Sequence, residues 1–113
     1  MSFLNGSSTA PEIVAEVAKR AKGRRPLVIL DSLHTAPHVL KELRLYSPLV
    51  PVGGYLIVQD TSINGHPVRE GFGPGPMEAV EEFLRGNDQF VSDRSRERFL
   101  LTMQPRGFLK RVR

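Results

Sequence analysis

The sequence predicts an α/β layered fold: a mainly parallel sheet flanked by helices, with an antiparallel strand pair at its C-terminal edge. Three observations predict it. The runs Leu27–Leu30 and Tyr55–Val58 are apolar throughout, the pattern of strands covered by helices on both faces. The stretch between them has helical periodicity, so strand, helix and strand follow one another within roughly 30 residues as a βαβ unit with parallel strands and a right-handed crossover. Two further strand-like runs, Gln89–Val91 and Phe99–Met103, are separated only by a charged turn at Ser92–Arg98, as an antiparallel pair would be.

Taken in order, Ser2–Asn5 reads as the end of a short strand entering Gly6-Ser7-Ser8. Thr9 and Glu12 are spaced as a capping box, with Pro11 in the first turn where its missing N–H costs nothing. A helix is expected from about residue 10 to 22, with Ile13, Val14, Val17, Ala18 and Ala21 on its inner face and Gly23 as its stop. After Leu27–Leu30, Thr35 is placed to cap a second helix, whose inner face is Val39, Leu40, Leu43 and Tyr46 and which Pro48 ends. Pro51-Val52-Gly53-Gly54 makes the turn into Tyr55–Val58. Residues 61–76 form a long loop containing Gly65, Gly71, Gly73 and Gly75 as well as Pro67, Pro74 and Pro76, and a loop of that length in a small domain is usually functional or mobile. Pro76 opens a third helix that buries Met77, Val80, Phe83 and Leu84 and stops at Gly86.

The 113 residues suit one domain, with 40% hydrophobic and 25% charged residues in the ordinary globular range. No cysteine is present, which removes disulfides, thiolate metal sites and cysteine nucleophiles. The apolar runs are too short to span a bilayer. No signal-peptide pattern opens the chain, so no membrane partner is expected and the location expected is cytoplasmic. Seven basic and two acidic residues put Asp93–Arg113 at +5, and the total of +4 leaves the preceding 92 residues at −1. A basic tail of this kind can contact phosphates. It carries no aromatic platform or nucleic-acid motif, so a solvated edge strand with a charged end is the expectation, and nucleic acid is not the expected partner.

Ligands of a parallel α/β sheet bind just beyond the carboxyl ends of its strands. Asp31 follows the first apolar run and Asp60 follows the second by two residues. On adjacent strands ~4.8 Å apart, the two carboxylates converge, and paired carboxylates with waters are a usual setting for Mg²⁺. Each aspartate equally suits capping of the turn or helix that follows, and spacing alone does not separate the readings. His34, on the same loop as Asp31, is placed to act as a general base, and it equally reads as an ordinary polar residue at the helix start. His38 is expected to face solvent as a partner of Glu42 four residues on, and His66 lies at a possible substrate entrance. The glycine-rich loop lacks both the Gly-x-x-x-x-Gly-Lys-Ser/Thr and the Gly-x-Gly-x-x-Gly phosphate patterns; with Phe72 and Pro74 interrupting its glycines, it reads as a shaped lid.

These segments together resemble the cephalosporin hydroxylase family, relatives of rhamnosyl O-methyltransferases. The resemblance rests on Gly6-Ser7-Ser8 before a helix, Val28-Ile29-Leu30-Asp31-Ser32-x-His34, His38-Val39-Leu40-x-Glu42-Leu43, and Gly54-Tyr55-Leu56-Ile57-Val58-x-Asp60-Thr61. It continues through Asn64-Gly65-His66-Pro67, Gly71-Phe72-Gly73-Pro74-Gly75-Pro76 and the Arg94–Leu101 segment. It implies a partial Rossmann-like methyltransferase fold, with residues 1–113 corresponding to its C-terminal part. It also implies an O-methyltransferase dependent on S-adenosylmethionine and Mg²⁺, with a small-molecule or sugar hydroxyl as substrate. Asp31, Gln59 and Asp60 would form the metal site. Ser7, Ser8 and Asp31 would lie on the cofactor, and His34 with Asp31 would be catalytic. This sequence departs from the family in three ways: it starts at the family's third strand, Gln59 replaces a common acid, and Leu33 replaces a usually polar residue. Starting there would leave the Leu27–Leu30 strand with an unpaired apolar edge, so a homo-oligomer is expected. A non-catalytic oligomeric binding module is the rival reading.

Overall fold

The computed structural model describes residues 1–98 and 101–113. Helix α1 (Pro11–Ala21) leads to strand β1 (Val28–Leu30), helix α2 (Ala36–Tyr46), a 3₁₀ turn at Ser47–Leu49 and strand β2 (Tyr55–Val58). Helix α3 (Pro76–Gly86), strand β3 (Phe90–Ser92), a second 3₁₀ turn at Arg94–Arg96 and strand β4 (Phe108–Arg111) complete the chain. The sheet has the order β1-β2-β4-β3. β1 and β2 are parallel, while β4 runs antiparallel to both β2 and β3, so three of the strands share one direction and β4 opposes them. The βαβ unit and the antiparallel C-terminal pair follow the sequence expectation.

One sheet face builds the core. Leu30, Leu56, Val58, Leu109 and Phe90 are buried against Val39, Leu43 and Tyr46 of α2 and Val80 and Phe83 of α3, and Val14 and Val17 of α1 pack onto the same cluster. Phe83 meets Phe90 edge-to-face with ring centroids 5.7 Å apart, a geometry that adds attraction beyond burial. The opposite face departs from the expectation that both faces are covered. Leu27, Ile29 and Val91 are exposed there, and Leu27, Tyr55, Ile57 and Phe108 line an open groove with Arg96. None of the described helices covers it.

Other boundaries were placed differently by the sequence. Ser2–Asn5 are not strand, because no described segment offers them a ladder of backbone partners. Ala10, not Thr9, precedes the first helical residue, and no side chain caps that helix. Thr35 does sit at the N-cap of α2, without a side-chain bond. Of the expected strand Phe99–Met103, residues 99 and 100 lie outside the described residues, and Leu101–Met103 are not strand. The last strand is Phe108–Arg111, part of the stretch expected to be a solvated edge and charged tail. Leu109 is fully buried and sits opposite Leu56, so one fully buried residue, between Phe108 and Lys110, anchors an inner strand. Gly107 makes the crossing possible: its carbonyl accepts the Val58 N–H at 2.9 Å, and a Cβ there would stand 2.4 Å from the Val58 carbonyl oxygen.

Leu43 is fully buried between α2 and the sheet. Replacing it with alanine removes apolar contacts and leaves a cavity, a change that costs about 2–5 kcal/mol. Denaturant unfolding of Leu43→Ala is expected to show an unfolding free energy lowered by that amount, as a lower midpoint with little change in slope.

Candidate functional site

The site arises where β1 and β2 end together. Their register pairs Leu30 with Val58, and one step further the Gln59 N–H donates to the Leu30 carbonyl at 3.0 Å. Asp31 and Asp60 therefore leave the sheet at the same end. Asp60 adopts the left-handed region with φ of 52°, which a short polar side chain tolerates better than most. Its carboxylate turns toward that of Asp31, and the His34 ring lies between them: His34 Nε2 is 3.3 Å from Asp31 Oδ1 and 3.3 Å from Asp60 Oδ2. The three side chains offer ligand atoms that all lie within 4.8 Å of one another.

Two hard oxygens and an imidazole suit a divalent cation. The same geometry places His34 Nε2 within polar reach of both carboxylates. Asp31 is the outermost of the three, with its side chain 62% exposed against about a third for the others. Gln59 lies beside them in sequence, and its Oε1 accepts a hydrogen bond from Gln104 Nε2.

A second polar cluster stands behind the first. Glu42 is buried inside α2 at 2% exposure, and its Oε1 accepts from Ser8 Oγ at 2.5 Å and Ser32 Oγ at 2.8 Å. His38 Nε2 lies 3.5 Å from the same oxygen with its side chain only 20% exposed, so the His38–Glu42 pair exists but is tucked into the fold instead of facing solvent. The Tyr46 hydroxyl donates to the Ser8 carbonyl at 2.6 Å; burial, and then the Glu42 charge, push its pKa up. Ser8, Asp31, Ser32 and Glu42 share the wall of a groove of about 440 Å³ along β1, together with Val17, Leu27, Val28 and Tyr46. Ser7 is not part of that wall; its Oγ meets Thr9 Oγ1 at 3.2 Å.

On the far side of His34, the glycine-rich loop is cross-braced by Glu78. Glu78 Oε1 accepts from His66 Nε2 at 2.7 Å and Asn64 Nδ2 at 3.2 Å, and Oε2 accepts from the Gly75 N–H at 2.7 Å. His66 is therefore tied down, not standing free at an entrance. Burial alone would raise the Glu78 pKa, but the bonds from Gly75, His66, its own backbone N–H and Asn64 outweigh it and hold the group at about 2.

Sequence reasoning placed Glu42 at the surface as a partner of His38, whereas it is buried, and it overlooked Glu78. For Glu42 a signal existed, a charge set among Val39, Leu43 and Tyr46 on the inward stripe of a helix. For Glu78 the signal was weaker: a glutamate three residues after an N-cap is half of a capping box, but Gly75 has no side chain to supply the other half.

A sequence profile of the rhamnosyl O-methyltransferase/CmcI family matches residues 1–112. The chain belongs to that family. It is 45% identical over 117 aligned residues to the rhamnosyl O-methyltransferases of Mycobacterium tuberculosis (strain H37Rv) and Mycobacterium bovis (strain AF2122/97), covering 96% of this chain and 46% of each relative. The rhamnosyl O-methyltransferase of Mycobacterium leprae is 43% identical over 114 residues, covering 96% of this chain and 49% of that protein. The chain thus spans about half the length of the curated relatives it matches. No solved structure matches it. No helix among the described residues is long and apolar enough to cross a membrane.

Glu78 links the loop's stability to pH. Its carboxyl is depressed from 4.5 to about 2, so its ionised form stabilises the fold above pH 4.5 and that contribution is lost as pH falls toward 2. Wild type is expected to exceed Glu78→Gln in stability at pH 6, with the difference shrinking below pH 4.5. Denaturant melts across that range measure it, and a pH-independent difference would show that the charge plays no part.

Proposed function

We propose that this chain carries the metal-binding and acceptor-binding part of an O-methyltransferase that uses S-adenosylmethionine and a divalent cation such as Mg²⁺, acting on a sugar or other small-molecule hydroxyl. The observation that carries the reading is the convergence of Asp31, His34 and Asp60 at neighbouring strand ends. Its support is the 45% identity to proteins named rhamnosyl O-methyltransferase.

Asp31 and Asp60 would hold the cation, with Gln59 as a neutral oxygen donor beside them. The bound partners would supply an electrophilic methyl on sulfur and a cation that lowers the pKa of an acceptor hydroxyl. His34 would take the proton of that hydroxyl on its ring nitrogen. Ser8 and Asp31 share one groove wall, which supports a cofactor-binding role for both, and Ser7 would contribute from the adjoining turn. Holding the acceptor oxygen in line with the methyl is the larger part of what such a site does.

Calorimetric titration of the chain with S-adenosylmethionine, with and without Mg²⁺, tests the reading. Heat that depends on Mg²⁺ is expected, and no heat under either condition would sink the enzyme reading for this chain. Asp31→Asn and Asp60→Asn are each expected to weaken Mg²⁺ binding at least about tenfold, since each replaces an anionic ligand with a neutral one. Unchanged binding in both would show that they do not share a metal.

The bare sheet face favours a second reading, a non-catalytic module that assembles with copies of itself. β1 pairs only with β2 among the described strands, and Leu27 and Ile29 are 59% and 54% exposed beside it. An apolar face of this kind marks an interaction surface, and a second copy in twofold arrangement would bury the same patch on both subunits. Native mass spectrometry at micromolar concentration is expected to show a dimer that Ile29→Lys dissociates; a stable wild-type monomer would remove this reading.

A further inference from the structure

The loop between β2 and α3 is held at two places, and the two are joined through one carboxylate. At one end, the Pro74 carbonyl accepts the Ala36 N–H at 3.0 Å, which fastens the loop to the start of α2, two residues after His34. There the chain comes close enough that a Cβ on Gly75 would stand 3.3 Å from the His34 carbonyl oxygen, so a larger residue would crowd the loop against the His34 backbone. At the other end, Glu78 binds Gly75 directly and reaches Gly73 through Asn64, whose Oδ1 accepts the Gly73 N–H at 2.9 Å. His66 completes the set on Glu78 Oε1. Residues 73–75 are thus clamped between the His34–Ala36 backbone and a carboxylate on α3.

We propose that Glu78, acting through Asn64 and His66, is a positioning residue that sets the glycine-rich loop as a wall against His34 and so fixes the space in which an acceptor hydroxyl meets the Asp31–His34–Asp60 group. The catalytic meaning of this rests on the methyltransferase reading, but the positioning itself does not. A carboxylate that only capped α3 would need the Gly75 bond alone. The two further bonds, to side chains from the opposite limb of the loop, have no part in capping, and Asn64 passes the tie on to the Gly73 N–H.

The decisive variant is Asn64→Ala, which breaks the Gly73 link and leaves the Gly75–Glu78 cap in place. In nuclear magnetic resonance of the full 113-residue chain, the Gly73 and Ala36 amides are expected to exchange at least about tenfold faster than in wild type, and the His34 ring signals to move. The amides of Met77–Val80 are expected to hold their wild-type rates. Glu78→Gln is expected to produce the same changes at Ala36 and His34, with added loss at the α3 start. If Ala36 and His34 keep their wild-type behaviour in either folded variant, the proposal is overturned and Glu78 is a helix cap. Should one variant fail to fold, the other decides. Addition of Mn²⁺ to wild type separates this from the metal reading: absence of broadening at His34 would remove the metal site and leave the loop measurements standing.

Discussion

The parallel pairing of β1 with β2 is the constraint on which both the core and the site depend. The register that sets Leu30 opposite Val58 turns both side chains, with Leu56, toward α2 and α3. The same register brings Asp31 and Asp60 out at one end, and the Gln59-to-Leu30 hydrogen bond carries the pairing up to the site itself. A slip of one residue would turn Leu56 and Val58 onto the open face and Tyr55 and Ile57 into the core. It would also separate the two carboxylates by a further step of about 3.3 Å. Burial of the apolar side chains therefore favours the placement of the polar ones, because a one-residue slip would turn the core residues outward.

Behind the strand ends, Glu42 performs an unusual service for a buried charge. One oxygen gathers hydroxyls from the segment before α1 and from the loop after β1, while Glu42 itself belongs to α2. Its second oxygen is buried without a protein partner, an arrangement that costs about 1–3 kcal/mol where it occurs. What offsets the cost is that the segment before α1 and the loop after β1 are both tied to the well-packed α2 at one point. α1 has no fully buried residue, and the Tyr46-to-Ser8 bond is a further polar tie on the turn that precedes it. The position of Ser8 beside Asp31 is thus decided from α2.

The parts legible in the sequence are those governed by local pattern. The uninterrupted apolar runs gave β1 and β2, the 3.6-residue stripes gave the three helices, and the aspartates after the runs marked the place where His34 meets them. What was not legible depends on pairing across the chain. Phe108–Arg111 reads as a basic tail, since two of its four residues are cationic, and it is a strand only because β2 and β3 offer ladders on both sides of Leu109. Val28–Leu30 reads as doubly buried because Ile29 is as apolar as its neighbours, yet Ile29 faces outward. Glu78 was hidden for another reason: its partners Asn64 and His66 come from a loop whose path, including the left-handed Asn64 with φ of 61°, no periodicity describes.

The two sides of the sheet stand in contrasting physical states. The face toward α2 and α3 buries Leu30, Leu56, Val58 and Leu109, and the site at its end is tied from three directions by Glu42, by Glu78 and by the strand register. The other face presents Leu27, Ile29, Tyr55, Ile57 and Phe108, softened only by the Arg96 guanidinium lying 5.3 Å over the Tyr55 ring. Fully burying a large apolar side chain is worth roughly 1.5–3 kcal/mol, so covering even the two most exposed of these, Leu27 and Ile29, would add a sizeable fraction of a small domain's net stability of about 5–15 kcal/mol. The polar ties at the strand ends do not draw on that face at all. The arrangement of Asp31, His34 and Asp60 is accordingly set from within the chain, whereas the stability of the sheet that carries them is open to whatever covers its bare side.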